Sequence, residues 1–201
     1  MKIRIGTFNL FQFVEPPYSW YTKKEKFTII EWEEKIAWIK KQINSMNCDI
    51  IGFQEVFSKD ALKELTKELG FKYFKTVDKA KTNKTDELIY TTTTVAIASK
   101  FPIKNLKKVQ TDFSTLKKHH LDGFFKFSRE PIKASIMLPN EKELDVYVCH
   151  LKSNRENEFE YIFTKETKLN EKLEKVQKAL KDGYSLSLKQ RLCEASSTYS
   201  N

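Results

Sequence analysis

The sequence predicts a layered domain of the α/β or α+β class, on three observations. Several short apolar strands lie close together in the chain, with helical spacings before and after them. A length of 201 residues suits one domain with a sizeable core. With only 5 glycines there is no G-x-G-x-x-G and no phosphate-cradling loop, which disfavours the nucleotide-binding α/β folds that depend on them.

Taken in order, Lys2 to Leu10 reads as a strand with Ile3, Ile5 and Thr7 alternating. Pro16-Pro17 argue against regular structure across residues 11–24. Ile29 to Asn44 reads as a helix, with Ile36, Ile39 and Ile43 on one face. An apolar strand then runs from Asp49 and delivers Glu55 at its end. Ser58 is placed to cap a second helix, striped by Leu62, Leu65 and Leu69 and stopped by Gly70. Phe71 to Thr76 is strand-like, and residues 78–88 form a polar loop. Thr91 to Ser99 has strong β character and stops before Pro102. Leu106 to Phe113, Glu130 to Leu138 and Leu144 to Leu151 read as three further strands, the last two joined as a hairpin at Pro139-Asn140. Arg155 to Lys181 turns helical through Leu169, Leu173, Val176 and Leu180, and Leu186 to Ala195 gives a final helix.

The charge balance is 36 basic against 27 acidic residues, a net +9, which makes a polyanion such as nucleic acid or an anionic lipid surface a plausible partner. The competing reading is an ordinary Lys-rich surface, since no basic cluster dominates one segment. Cys48, Cys149 and Cys193 form an odd set without C-x-x-C spacing, so neither a disulfide framework nor a zinc site is expected. No signal-peptide pattern opens the chain and no apolar stretch approaches the ~18 residues of a membrane span. The expectation is a cytoplasmic protein.

The chemistry-bearing residues sit at strand ends, where a rigid scaffold presents side chains to a cleft. Glu55 offers the carboxylate oxygen that a hard divalent cation prefers; alternatively it merely ends a strand at the surface. Asn9 could meet a phosphate oxygen or metal-bound water, or simply form a turn. His150 could act as a general acid or meet transition-state charge near a phosphodiester, or be a satisfied core residue. Arg129 could clamp phosphate bidentately or form a strand-edge salt bridge. Lys152 and Arg155 add positive charge beside His150. His119-His120 read as a solvated loop rather than as metal ligands, because adjacent side chains usually point apart.

These residues resemble the endonuclease/exonuclease/phosphatase superfamily. That family includes pancreatic-type deoxyribonucleases, abasic-site endonucleases, inositol-phosphate phosphatases and bacterial sphingomyelinases. The resemblance runs in order from residue 2 to about residue 195. Thr7-Phe8-Asn9-Leu10 is similar to the opening strand, whose Asn lies in the active site. Gly52-Phe53-Gln54-Glu55-Val56 is similar to the Q-E-V strand, whose Glu ligates Mg²⁺. Val95 to Ile103 is similar to the central strand and turn. Ser128-Arg129-Glu130-Pro131 corresponds to a phosphate-contacting Arg. Val148-Cys149-His150-Leu151-Lys152-Ser153 resembles the H-L-K-S strand, whose His approaches the scissile phosphate. Arg191 to Ala195 is similar to the helix that follows.

The resemblance implies a four-layer α/β/β/α sandwich of the deoxyribonuclease-like type, here incomplete at its C-terminus. The family continues with a G-D-x-N strand and an S-D-H motif, and this sequence contains no Asp-x-Asn and no Asp-His. The expectation is a single domain over residues 1–201 carrying only the N-terminal two-thirds of the family fold, from a truncated, frameshifted or excerpted reading frame. The implied function is a Mg²⁺-dependent phosphodiester hydrolase, foremost a nuclease, with an incomplete active site. Mn²⁺ and Ca²⁺ are the other cations to consider. In that scheme Glu55 is the metal ligand, Asn9 and His150 are catalytic, and Arg129 and Lys152 hold the substrate phosphate. DNA or RNA is the leading partner; a phosphorylated small molecule or a lipid headgroup is the alternative. Two rivals remain: a non-catalytic fragment that binds a polyanion or protein partner, and a lipid phosphodiesterase relative using Phe124-Phe125 or Trp20-Tyr21 as its membrane contact.

Overall fold

A computed structural model describes residues 2–121, 123, 125–153, 166–178 and 184–201, and the fold is a mixture of helices and sheets. The chain divides into two compact units: residues 1–109 with 129–150, and residues 110–128 with 151–201.

The first unit is built on a four-stranded sheet in the order β1 (Ile5–Phe13), β3 (Ile50–Val56), β6 (Thr94–Ser99), β4 (Tyr73–Lys75). β1 runs parallel to β3, while β6 is antiparallel to both β3 and β4. A three-stranded antiparallel sheet follows the order β7 (Ile103–Lys108), β8 (Ile132–Met137), β9 (Glu143–Val148). A small parallel pair joins β2 (Ser19–Trp20) to β5 (Ile89–Tyr90). Two-residue periodicity sorts the side chains between layers. Ile51, Phe53, Ala96 and Ala98 face helices α1 (Ile29–Met46) and α2 (Lys59–Glu68), against Ile39, Ile43, Leu62 and Leu65. Their neighbours Ile50, Val95 and Ile97 face the second sheet, against Ile132, Ala134, Ile136 and Val148. Helices, four-stranded sheet and three-stranded sheet thus stack in that order, and β3 is apolar and buried from Ile50 to Phe53 because both its faces are covered there.

Helix α1 begins with a capping box: Glu31 N–H donates to the Thr28 hydroxyl (3.2 Å) and Thr28 N–H donates back to the Glu31 carboxylate (2.8 Å). It ends at Asn47 in the left-handed conformation. Ser58 does stand at the N-cap of α2, but its hydroxyl accepts from Glu15 N–H (2.9 Å) and ties down the β1–β2 connection instead.

Several elements differ from the sequence reading. β1 extends to Phe13 and β2 is regular, so the region before and after Pro16-Pro17 is more ordered than those prolines imply. The strand expected over Leu106 to Phe113 lies earlier, over β7, and Phe113–Lys118 is instead helix α3. Asp112 caps that helix by accepting from Ser114 N–H (3.1 Å), which turns the chain out of extended conformation.

The second unit is helical. Helix α3 packs against α5 (Tyr184–Tyr199) through Leu116, Leu121, Phe125 and Cys193. Helix α4 (Leu169–Lys178) lies within the long helix expected from Arg155 to Lys181; the beginning of that span and Leu180 are outside the described residues. The apolar stripe of α4 is exposed, Leu169 at 69% and Leu173 at 52%. Among the described residues no helix is long and apolar enough to cross a membrane.

Candidate functional site

Two irregularities in the four-stranded sheet build the site. Between the pairs Asn9–Gln54 and Phe13–Val56, β1 takes four steps where β3 takes two. The surplus is Phe11 and Gln12, both left-handed at φ 48° and 58°. Between Phe53–Ala96 and Val56–Thr94, β3 takes three steps where β6 takes two, and here Glu55 is left-handed at φ 59°. Bulges re-aim side chains, and left-handed conformations cost a non-glycine residue roughly 1–3 kcal/mol each. Three such residues at one place form a strained element that the surrounding packing must hold.

The strain converges on the Glu55 carboxylate. One oxygen accepts from the Asn9 side-chain amide (3.2 Å) and the other from Gln12 N–H (2.9 Å). The Asn9 side-chain oxygen accepts from Phe11 N–H (2.9 Å). Asn9 is therefore a turn-former, as one of the two sequence readings had it, and also a partner of Glu55, which neither reading named. Each Glu55 oxygen retains acceptor capacity beyond these bonds.

His150 reaches the same end through close sheet packing. A Cβ on Gly52 would lie 2.9 Å from Val148 Cγ2, so only glycine lets β9 approach β3 this closely. Glu55 and His150 follow three and two residues after that contact. The His150 pKa lies below its ordinary value: burial disfavours the charged ring, the Arg129 guanidinium adds to the depression, and the Glu55 carboxylate opposes it. Its Nδ1 is buried and has no hydrogen-bond partner among the described residues. Asn9, Glu55, Arg129 and His150 thus belong to one unit and act on one another. Lys152 belongs to the second unit, where its backbone N–H donates to Glu194.

Two residues that sequence reasoning did not single out, Lys35 and Gln12, shape these surroundings, and a third, Glu194, organises the second unit. Lys35 donates to the Phe11 carbonyl (2.7 Å), with its ammonium over the rings of Phe11 (5.6 Å) and Phe27 (4.9 Å). Burial pulls its pKa down while the Glu55 charge pushes it up. The only signal in the sequence is spacing, since Lys35 continues the buried line Ile39, Ile43 by one turn. Gln12 contributes its backbone, which no side-chain pattern announces. Within the second unit Glu194, 1% exposed, accepts from the backbone N–H groups of Ser128 and Lys152. A single carboxyl in an otherwise ordinary helix gives no sequence signal of this role.

Among the described residues no group of three or more His, Cys, Asp or Glu side chains is arranged to hold a metal ion. The donor set at Glu55 is one carboxylate beside an amide. That does not fit a closed cage, but it fits Mg²⁺, which takes one or two carboxylates and keeps waters for substrate oxygens. His119 and His120 stand at and after the C-cap of α3, outside any such group. A cavity of about 610 Å³ is lined by Tyr18, Phe57, Lys59, Lys81 and Tyr90 among others, and not by the Glu55 group. The aromatic residues considered for membrane contact are largely occupied. Trp20 is 8% exposed and packs on Val14 and Phe57, and Phe125 packs on the α3–α5 cluster. Tyr21 is 48% exposed, and Phe124 lies outside the described residues. Compared with known proteins, the chain matches no family model and no curated protein.

Proposed function

We propose that the first unit carries the metal- and phosphate-binding part of a phosphodiester hydrolase of the endonuclease/exonuclease/phosphatase type, acting on nucleic acid. The observation that carries this reading is the double bulge that turns Glu55 onto Asn9 within electrostatic reach of His150 and Arg129. Strain of this kind persists where a side chain must be presented in one orientation. The α/β/β stacking of the first unit supports three layers of the four-layer sandwich.

Glu55 would hold the divalent cation, Mg²⁺ first, with Asn9 and Gln12 N–H fixing its carboxylate. When bound, the cation supplies Lewis-acid polarisation of the phosphate. Arg129 would bind phosphate oxygens bidentately. His150, with its lowered pKa, is neutral at pH 7 and would hydrogen-bond a phosphate oxygen from a desolvated position, where such a bond counts for more than in water. The net charge of +9 favours a polyanionic substrate. The absence of Asp-x-Asn and Asp-His from the sequence favours slow turnover or none.

The deciding experiment pairs Mn²⁺ binding with hydrolysis of single- and double-stranded DNA and RNA. The expected result is divalent-cation binding that Glu55→Gln abolishes, with slow hydrolysis that Glu55→Gln and His150→Ala both remove. Cation binding without turnover in the parent chain would instead favour the non-catalytic reading over the enzyme. Parent and Glu55→Gln chains equal in both assays would refute the metal site.

A further inference from the structure

We propose that Lys35 is a positioning residue for Glu55, acting through the single peptide group between Phe11 and Gln12, and that it thereby sets the divalent-cation affinity of the site. The inference rests on the reading of Glu55 as the metal ligand. The Lys35 ammonium donates to the carbonyl of Phe11 at 2.7 Å, and the N–H of Gln12 donates to Glu55 at 2.9 Å. That carbonyl and that N–H are the two ends of one planar peptide unit. A cation on the oxygen polarises the unit and strengthens its N–H as a donor. It also locks the orientation of the unit. The residues on both sides are left-handed, at φ 48° and 58°, so nothing in ordinary backbone preference keeps this N–H pointed at Glu55.

Lys35 is itself held in place. The faces of Phe11 and Phe27 flank its ammonium, and its helix is anchored through buried Ile39 and Ile43 and the Thr28–Glu31 capping box. An exposed lysine with free rotamers would lose this contact to solvent; a half-buried one between two rings does not. The arrangement is an outer partner that orients a ligand, the role that groups behind metal-binding carboxylates commonly fill.

A purely structural lysine would also stabilise the fold, so the test must read the link itself. Assigned amide spectra and Mn²⁺ titration by electron paramagnetic resonance are compared for the parent, Lys35→Met, Lys35→Arg and Glu55→Gln. In Lys35→Met the Gln12 amide proton should move upfield, toward its position in Glu55→Gln, and Mn²⁺ affinity should fall by on the order of tenfold. Lys35→Arg should restore both, because arginine can reach the carbonyl and stack on the two rings. If Lys35→Met fails to fold, Lys35→Gln keeps a donor without the charge and should show the same two changes in smaller measure. A Gln12 amide and a Mn²⁺ affinity both unmoved in the folded Lys35 variant, with Glu55→Gln still losing Mn²⁺, would overturn the proposal alone. Undiminished Mn²⁺ binding in Glu55→Gln would overturn the metal reading, while the Gln12 shift would still judge the Lys35 link by itself.

Discussion

The first unit closes around apolar side chains. Phe13, Ile39, Ile51, Phe53, Ile97 and Ile132 are fully buried, in two layers sorted by strand alternation. The second unit closes with far more help from polar ones. Asp112 gathers the hydroxyls of Ser114, Thr115 and Ser196, and Glu194 gathers backbone N–H groups from Ser128 and Lys152. Its described apolar cluster is small, Leu116, Leu121 and Cys193 with Phe125 against it, and the stripe of α4 is exposed. Apolar packing is tolerant of detail but costly to hollow out. A polar junction depends on a few directional groups and on pH.

The largest effect should come from hollowing the first unit. Phe53→Ala removes a fully buried ring and is expected to cost about 3–5 kcal/mol, read from the denaturant midpoint. A loss under about 1 kcal/mol would mean that this core is loosely packed and that the contrast with the second unit fails. Next comes Glu194→Ala, which leaves two backbone donors without their acceptor. Its expected cost is about 2–3 kcal/mol, with Glu194→Gln recovering part of it because one carbonyl oxygen remains. Hydrogen exchange should report the loss at Ser128 and Lys152 amides. If those amides stay as protected as in the parent, the clamp is not what orders the second unit.

The contrast also explains what the sequence made legible. β3, β6, α1, α2 and the β8–β9 hairpin follow from periodicity, because apolar burial leaves a periodic trace. Asn9, Glu55 and His150 were visible as polar groups ending apolar strands, and Arg129 as a neighbour of one. The bulges were not visible. Phe11, Gln12 and Glu55 are residues that usually avoid positive φ, and no glycine marks the place. Helix α3 was hidden because the Asp112 cap lies beside a β-like stretch, and Glu194 because one buried carboxyl breaks no pattern.

A smaller effect tests how the sheets meet. Gly52→Ala should cost about 1–3 kcal/mol, since its Cβ would sit 2.9 Å from Val148 Cγ2. Val148→Ala removes that obstacle, so the double variant should be less destabilised than the sum of the two single changes. Additive losses would show that the close approach of β3 and β9 does not set the glycine requirement.

The smallest expected effect is in pH, and it separates the units by window. In the first unit the folded pKa of His150 is depressed below its ordinary 6.5, with burial the chief cause. The unfolded chain then binds more protons than the folded one, so this contribution is present above pH 6.5 and is lost as pH falls through the depressed value. In the second unit Asp112 is held far below its ordinary 3.8, by the hydroxyls of Thr115, Ser114 and Ser196 in that order. Its contribution is present above pH 3.8 and is lost only as pH falls below it. Hydrogen exchange followed from pH 7 downward should therefore loosen the first unit before the second. His150→Phe should flatten the upper window and Asp112→Asn the lower one, each without touching the other. Amides of α3 and α5 that loosen in the His150 window would show that the two units share one polar network, and the distinction between their chemistries would have to be given up.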